Sequence, residues 1–504
     1  MPERVAAIDV GSNAIRFFAA EADEGPGFHV VAENRIPVRL GHGVFSSGLI
    51  EESAASEAAA GLAEAGRRMS ELAIGHYRAV ATSAVRDSRN RRAFVRQVRE
   101  ASGLRLEVIS GSEELRLVHA AVRRRLAMGS DVWAMVELGG GSVEIALADE
   151  SQVHWCETHA MGAVRLMEMF TRGGSEPREF SRLIQEYVAT IRLPSRVAEK
   201  GVRGFICTGG NIDSLARICR GPGAAAPLTM TLSEVRELIE ALSGLPVEQR
   251  QSRYSLRADR ADVIVPAAIV YAHLAERFGA REIVAPGGGV REGIVLELLA
   301  RATERPVDRE EGLLEAALTI GRKFLFDETH AQHVARLAGS LYDQLGALHG
   351  MGPRERRFLV AAALLHDVGG VVSLKSHHKH AMYLITRSDL PGFTRRDMVV
   401  VGVVARYHRK APPTLMHREF AQLSLADRNR VRVLSGILRV ADALDKEHRQ
   451  KIQGVTVERR PGEVQIRAHG AEDILLEQWA LRKKDDLFRE AFGVTLSLSA
   501  DGAE

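Results

Sequence analysis

Two segments of the sequence combine an acid, a turn of small residues and flanking apolar runs, a set of groups suited to holding a phosphate beside a cation. Residues 8–17 read Ile-Asp-Val-Gly-Ser-Asn-Ala-Ile-Arg-Phe, and residues 136–145 read Val-Glu-Leu-Gly-Gly-Gly-Ser-Val-Glu-Ile. Glycine lets the backbone approach an anion closely, and consecutive N–H groups in such a turn form a concave anion site. The repeat predicts a duplication, in which two half-domains face each other across a phosphate-binding cleft.

Two further glycine turns, at residues 208–211 and 286–289, follow apolar runs and lead into predicted helices. No turn has the G-x-x-x-x-G-K-[ST] spacing of a P-loop, and none places G-x-G-x-x-G between a strand and a helix, which argues against P-loop ATPases and Rossmann dehydrogenases. The residues predicted to bind phosphate are Gly11, Ser12, Asn13, Thr82, Ser83, Gly139, Gly140, Gly141, Ser142, Gly209 and Gly210.

Carboxylates beside these turns would bind a cation and activate water. Asp9 and Glu137 are at strand ends, where a hard cation such as Mg²⁺ would be held between carboxylate and phosphate oxygens. Glu144, on the returning strand, would either complete that cation site or be an ordinary surface acid. Glu113 and Glu114 stand at the start of a predicted helix. There they either stabilise the positive end of the helix dipole or provide a general base for water.

Arginine and hydroxyl residues offer contacts for an anionic ligand, although each has a second interpretation. Thr82, Ser83 and Arg86 end a predicted strand and suit a terminal phosphoryl group, or they cap a helix and leave the arginine in solvent. The basic stretches 89–92 and 123–125 would guide a long polyanion or form solvated helix faces. The net charge of +3 is too small to predict a protein that wraps nucleic acid.

The elements that must position these residues alternate in type over the first three hundred residues. Short apolar runs alternate with helical patterns, which predicts α/β layers. The predicted helices there are Glu51–Leu72 and Arg89–Ala101. The predicted strands are Val5–Asp9, Arg78–Thr82, Leu106–Ile109, Val132–Glu137, Val143–Ala148, Gly204–Thr208 and Glu282–Pro286.

The pattern from residue 312 to residue 447 is helical throughout, so we expect an all-α domain there. After it, the strands Val455–Arg459 and Val464–Arg467 form a predicted hairpin, and a helix Leu475–Phe492 and a strand Val494–Leu498 complete a small α/β segment. The predicted helices of the all-α domain are Leu313–Phe326, His330–Leu348, Glu355–His366, His378–Arg387, Arg395–His408 and Arg428–Asp445.

Length and composition bound the class of protein. At roughly 100–200 residues per domain, the 504 residues predict several domains; we place their boundaries at 1–125, 126–303, 304–450 and 451–504. With 45% hydrophobic and 26% charged residues, the chain reads as a soluble globular protein. The three scattered cysteines form no C-x-x-C pair, which favours the cytoplasm. The apolar runs are too short to cross a membrane.

Five motifs in the first three hundred residues resemble the exopolyphosphatase and guanosine pentaphosphate phosphatase (Ppx/GppA) family, a branch of the actin-like, hexokinase-like and Hsp70-like phosphotransferases. The resemblance implies duplicated actin-like (ribonuclease H-like) domains, a cytoplasmic location and a homodimer. The matching motifs are AIDVGSNAIRF at 7–17, ATSAVRD at 81–87, ISGSEELRLV at 109–118, ELGGGSVEI at 137–145 and ICTGGN at 206–211.

The same resemblance assigns roles to individual residues. It implies that residues 9–13 and 139–142 are the two phosphate loops and that Arg86 contacts the substrate phosphate. Glu114 would be the catalytic base that orients water, with Glu137 and Glu144 near Mg²⁺. One departure is visible, because the family usually has Asp where Glu137 stands. The extra methylene moves the carboxylate, so metal geometry or turnover would differ.

The helical domain carries a second set of candidate metal ligands. His366 and Asp367 follow an apolar helix, and adjacent residues at a helix end can both turn toward one metal ion. The order of histidines and aspartates resembles the HD metal-dependent phosphohydrolase superfamily, with the pieces LLHDVGG, HHKHAMYLI, ARYHRK and RVADALD. Imidazoles and carboxylates suit a divalent metal. The predicted ligands are His333, His366, Asp367, His377, His408 and Asp442.

These observations favour a phosphohydrolase that removes terminal phosphate from polyphosphate or from guanosine pentaphosphate, leaving guanosine tetraphosphate. Three alternatives stay open: a nucleotide phosphohydrolase that uses the HD-type site, a regulator that binds (p)ppGpp or polyphosphate without hydrolysis, and a sugar kinase, for which no sugar-binding signature is seen. We expect no specific nucleic acid and no membrane among the partners.

Overall fold

The computed structural model of the protein describes two compact units, residues 1–307 and residues 308–504. The predicted boundary at residue 303 falls in a segment outside the described residues. The structure describes residues 3–23, 27–171, 177–193, 201–221, 223–302, 309–390, 392–470 and 473–500.

Strands and helices alternate through the first unit. Its strands are β1 Arg4–Val10, β2 Ile15–Ala22, β3 Phe28–Ile36, β4 His76–Ala81, β5 Leu106–Val108, β6 Trp133–Leu138, β7 Val143–Ala148, β8 Val153–His159, β9 Phe205–Thr208, β10 Leu228–Thr231 and β11 Glu282–Ala285. Its helices are Val44–Ser47, Glu52–Glu71, Ser83–Asp87, Arg91–Ser102, Gly111–Arg123, Ala163–Thr171, Pro177–Val188, Gly210–Arg220, Leu232–Ser243, Val247–Tyr254, Ala258–Ala261, Ile264–Arg277 and Val290–Ala302.

The two sheets of the first unit have the same core topology. One has the strand order β3-β2-β1-β4-β5 and the other β10-β11-β9-β6-β7-β8. In each sheet the first three strands pair antiparallel, and the first strand then pairs parallel with a later one, β4 or β9. The predicted duplication and the predicted α/β fold class are confirmed.

Both faces of the central strands pack in hydrophobic cores, which explains why the sequences of these strands are almost continuously apolar. In β1, Ala6, Ile8 and Val10 point into one core, and Val5 and Ala7 point into another. Successive side chains of a strand leave on opposite faces, so one short strand contributes to two cores. The second core also takes residues from the other sheet, and it therefore joins the two halves.

The helix Gly111–Arg123 lies in this shared core beside the helix Val290–Ala302. The helices cross so closely that a Cβ atom at Gly293 would be 2.0 Å from the carbonyl oxygen of Leu117. The N-cap Ser110 accepts a hydrogen bond from the backbone N–H of Glu113. The first turn, with Glu114, is thereby fixed between the two sheets.

The second unit is helical up to residue 443 and ends in a small α/β segment. The strands β12 Gly454–Arg460, β13 Glu463–His469 and β14 Thr495–Ala500 form one sheet. The α-helices are Arg309–Lys323, Glu328–Gln344, Gly346–His349, Pro353–Leu365, His377–Arg387, Arg395–Arg406, Arg418–Ala421, Leu425–Ala443, Leu475–Arg482 and Asp486–Phe492, and Val368–Val371 is a 3₁₀ helix.

Within the described ranges, no helix is both long enough and apolar enough to cross a bilayer.

Several elements differ from the sequence-based expectations. The strands β3, β8 and β10 were not predicted. The strands β3 and β8 are partly exposed and lack a clear alternation of apolar and polar residues. The prediction of one helix over Leu475–Phe492 is wrong, because the structure has two helices there, separated by residues 483–485. That break carries Lys484.

Candidate active site and candidate metal centre

The two repeated glycine turns have the same backbone geometry. In the first, the N–H of Gly11 donates to the carbonyl of Ala14 at 3.1 Å, and in the second the N–H of Gly139 donates to the carbonyl of Ser142 at 3.1 Å. The cross-strand pairs are also equivalent, since Asp9 faces Arg16 and Glu137 faces Glu144. Equal turn lengths and equal register make the two hairpins structural copies.

These turns touch each other at one cavity. A Cβ atom at Gly140 would lie 2.7 Å from the Cβ of Ser12, so the tips of the turns are in contact. The cavity beside them has a volume of about 680 Å³. All four predicted glycine turns contribute to its lining, through Gly11–Ala14, Leu138–Gly140, Gly209–Asn211 and Gly288–Val290.

Four buried acids line this cavity: Asp9, Glu114, Glu137 and Glu292, which are 6%, 6%, 8% and 7% exposed. Burial raises the pKa of Glu114 to about 7, although Arg86 acts in the opposite direction. Burial raises the pKa of Glu137 to about 8, and it also raises the pKa of Asp9 against the effect of Arg16. A carboxyl group that titrates near neutral pH is suited to general base catalysis.

Arg86 and Glu144 are predicted site residues that the structure places behind this lining. The guanidinium of Arg86 donates to Glu114 Oε2 at 3.3 Å and to Ser142 Oγ at 3.2 Å, and it lies 3.5 Å from Glu144 Oε1. Glu144 is 1% exposed, so it is not a surface acid, and neither residue lines the cavity. Arg86 therefore contacts the acid expected to be the base.

Some of the hydroxyl and amide side chains predicted to bind phosphate line the cavity, and the others lie behind its lining residues. Thr82, Ser12 and Asn13 line the cavity, and the amide of Asn13 donates to the carbonyl of Asp259 at 2.7 Å. Ser83 Oγ lies 3.2 Å from Ser12 Oγ, so it supports the first turn from behind. Ser142 Oγ donates to Glu144 at 2.7 Å. Gly141 and Ser142 are outside the lining.

The basic residues of the cavity were not predicted from the sequence. Arg260 is 7% exposed and donates to Asn211 Oδ1 at 2.5 Å, and burial lowers the pKa of its guanidinium to about 10. Only Arg16 had a usable signal, because it occupies the position in the first hairpin that Glu144 occupies in the second. The arginines that line the cavity are Arg16, Arg35, Arg217, Arg253, Arg257, Arg260 and Arg291.

In the second unit, histidines and aspartates form a compact cluster around Asp367. The Nε2 atoms of His330 and His366 lie 3.7 and 3.8 Å from Asp442 Oδ1. On the other side, Asp367 Oδ1 lies 3.2 Å from His377 Nε2 and 3.6 Å from His408 Nε2. Three overlapping potential ligand groups result, because His330 and Asp367 also lie close to His448. Asp367 Oδ2, which is 3.7 Å from His366 Nε2, connects the two sides of the cluster.

Each imidazole of the cluster is oriented by its other ring nitrogen. The Nδ1 atoms of His366, His377 and His408 lie 2.6, 3.2 and 2.7 Å from the carbonyl oxygens of Ala363, Leu374 and Ala405. This arrangement is typical of metal-binding histidines, whose second nitrogen is fixed by a carbonyl or carboxylate.

His330 follows the same rule, with Asp445 Oδ2 at 2.8 Å from its Nδ1. Among the described residues, the buried Nε2 atoms of His330 and His366 and the Oδ1 of Asp367 have no hydrogen-bond partner. Unpartnered buried donors and acceptors of this kind fit a divalent metal centre.

The predicted ligand His333 is not part of this cluster, and His330 stands in its place. Both histidines belong to the helix Glu328–Gln344, and a three-residue offset at 3.6 residues per turn changes the direction of the side chain. His333 Nδ1 is instead 2.7 Å from Arg336. The structure therefore brings His330, and not the predicted His333, into the candidate metal cluster. The other five predicted ligands lie together.

Residues 19–302 match the Ppx/GppA phosphatase family, and residues 315–490 match domain III of Ppx/GppA phosphatases. A Photobacterium profundum protein named guanosine-5'-triphosphate,3'-diphosphate pyrophosphatase is 25% identical over 457 residues, which is 88% of each chain.

Solved structures show the same fold. The Aquifex aeolicus member of the Ppx/GppA family is 24% identical, with a TM-score of 0.52 over 60% of this chain and 99% of that chain. An exopolyphosphatase from Cytophaga hutchinsonii is 22% identical, with a TM-score of 0.56 over 59% of this chain and 98% of that chain. Because the family match covers more than half of the sequence, this chain belongs to the Ppx/GppA phosphatase family.

Proposed function

We propose that this protein releases the terminal phosphate of guanosine pentaphosphate or of inorganic polyphosphate in the cavity of its first unit. The observation that carries the proposal is the meeting of two equivalent glycine turns beside Glu114, a buried acid with a pKa of about 7. The name of the Photobacterium relative supports a guanosine polyphosphate, and the name of the Cytophaga protein supports polyphosphate.

In this mechanism the turns and the arginines hold the substrate, and Glu114 activates water. The N–H groups of the turns and the guanidinium groups of Arg16 and Arg260 bind phosphate oxygens. Glu114 takes a proton from water, and the water oxygen forms a bond to the terminal phosphorus. The bond to the bridging oxygen breaks, and inorganic phosphate and the shortened anion leave. Positioning and charge neutralisation account for most of the catalysis, as is usual for phosphoryl transfer.

The cavity also suits Mg²⁺. Asp9 and Glu137 would hold the ion, because both are buried carboxyl groups that line the cavity at the ends of the strands that lead into the two turns. The ion would neutralise charge on the phosphate oxygens. Glu137 accepts a hydrogen bond from the hydroxyl of Thr208, which holds the longer side chain in one position. Glu144 lies outside the cavity lining, so in this proposal it positions Ser142 through a hydrogen bond and Arg86 through an ion pair.

Phosphate release from both substrates with Mg²⁺ tests the proposal. We expect the Glu114→Gln variant to lose about 10²- to 10⁴-fold in rate, the usual contribution of a general base. The matched variant His366→Ala/Asp367→Ala alters only the second unit and should keep the rate. If the second variant alone loses activity, the chemistry belongs to the helical unit. Tight substrate binding without release would favour a regulator.

The second candidate function is a metal-dependent phosphohydrolase centred on the histidine–aspartate cluster. It is favoured by the imidazole Nε2 atoms that converge on Asp367 and Asp442, with each Nδ1 already fixed. His330, His366, Asp367 and Asp442 would hold one divalent ion, and Asp367, His377 and His408 a second one. Such ions lower the pKa of bound water. Metal content of the purified protein, compared with His366→Ala/Asp367→Ala, tests the centre.

A further inference from the structure

One lysine of the second unit is partly buried against the histidine–aspartate cluster. The ammonium of Lys484 forms an ion pair with Oδ2 of Asp442, and the two side chains are only 15% and 11% exposed. Lys484 lies between the helices Leu475–Arg482 and Asp486–Phe492, outside the helices that carry the histidines. Lysine is seldom buried, because removing an ammonium from water is costly unless a partner compensates. Lys484 therefore adds a positive charge from the C-terminal segment to the cluster.

The backbone of Lys484 is held in place by a buried arginine. Its carbonyl accepts a hydrogen bond from Arg439 Nε at 3.1 Å, and Arg439 also pairs with Asp486 at 2.9 Å. Arg439 is 2% exposed, so this anchor is part of the core. The four-carbon chain of a lysine has rotatable bonds that redirect the ammonium while the backbone stays in place.

Metal ions bound at the cluster would change the electrostatic surroundings of the Lys484 ammonium. The other carboxylate oxygen of Asp442 already points at His330 and His366, so an ion there would compete with Lys484 for the same carboxylate. The acids of the cluster are Asp367 and Asp442, and two more, Asp445 and Asp327, contact its histidines His330 and His448. Two divalent ions would balance these four negative charges, so the charge of Lys484 would be in excess.

An excess of positive charge in a buried site is stabilised by an anion with several oxygens. Phosphate oxygens bind divalent ions, and they also accept charge-assisted hydrogen bonds from an ammonium group. A phosphate dianion could contact both the ions and Lys484. A neutral ligand would leave the excess charge uncompensated.

We propose that Lys484 is the phosphate-binding residue of the helical metal centre, and that this centre takes a phosphomonoester or its product, inorganic phosphate. Lys484 leaves Asp442 for a phosphate oxygen when metal ions occupy the cluster. The inference rests on the metal centre proposed above, and it adds the class of ligand and the residue that recognises it.

Calorimetric titration of the full-length protein tests this in two steps, first with Mn²⁺ and then with inorganic phosphate. The Lys484→Gln variant should bind Mn²⁺ at least as tightly as the wild type, because a competing cation has been removed. Its phosphate affinity in Mn²⁺ should fall about 10- to 100-fold, the loss of one charge-assisted hydrogen bond. Lys483→Gln, at an exposed neighbour, is the matched control and should change neither affinity.

Phosphate that binds in the first unit is measured with His366→Ala/Asp367→Ala and subtracted. Lys484→Arg keeps the charge and should recover most of the phosphate affinity. An unchanged phosphate affinity in Lys484→Gln would overturn the proposal. Weaker Mn²⁺ binding in that variant would also overturn it, since Lys484 would then only orient Asp442. If the wild type binds no Mn²⁺ in this unit, the metal centre fails as well, while phosphate release by the first unit is unaffected.

Discussion

Arg86 controls the protonation of Glu114, and this gives a pH-dependent prediction. The two side chains are 3.3 Å apart, and both are largely buried. Burial raises the pKa of Glu114 to about 7, and it would be higher without the charge of Arg86. Only the ionised carboxylate can accept a proton from water, so activity should be present above this pKa and lost as the pH falls through it.

Replacing Arg86 with Gln removes that charge. An opposite charge at this distance lowers the pKa of a carboxyl group by about 1–3. The pKa of Glu114 should therefore rise to about 8–10, and at about pH 7.5 the ionised fraction would fall about 3-fold to about 200-fold. The acidic limb of the kcat/KM profile should move to higher pH by the same amount. Arg86→Lys retains a positive charge and should leave the limb close to that of the wild type.

The profile separates this role from the direct phosphate contact that family resemblance implies for Arg86. Loss of a substrate contact would lower kcat/KM at every pH and leave the limb in place. Thermal unfolding of each variant checks that the layer behind the cavity, which includes Glu144 and Ser142, stays folded. An active Arg86→Gln variant whose acidic limb coincides with that of the wild type would refute the reasoning.

Three other outcomes follow from packing and ligand geometry. A Cβ atom at Gly162 would lie 2.4 Å from the backbone nitrogens of Gly141 and Ser142. The Gly162→Ala variant should therefore lower the free energy of unfolding by about 1–3 kcal/mol and weaken phosphate binding. In thermal unfolding, Gly75→Ala is the control, because a Cβ atom there meets nothing within 4 Å. His330→Ala should remove or weaken one of the two Mn²⁺ sites in the helical unit, whereas His333→Ala should retain both; equal losses in calorimetry would contradict the placement. Chelation should lower the melting temperature of the wild type, and Mn²⁺ should restore it; the same response in His366→Ala/Asp367→Ala would place the stabilising ion elsewhere.

Local patterns in the sequence determined the two equivalent glycine turns and the α/β fold class. Asp9 and Glu137 each precede a glycine turn of the same length, and turn length and register are short-range properties that residue order fixes. The neighbouring pair His366-Asp367 is local in the same sense. For these features the residues that must meet are close in sequence, so their spacing carries the information.

Only the tertiary structure decided which distant side chains meet. Arg260 reaches the cavity from a four-residue helix, and Arg86 turns to Glu114 because separate strands end at one edge of a sheet. His330 and His333 share a helix, and the packing of that helix against Asp442 and Asp445 selects His330. The face that a helix buries and the contacts between separate elements depend on long-range packing. Sequence spacing alone does not contain that information.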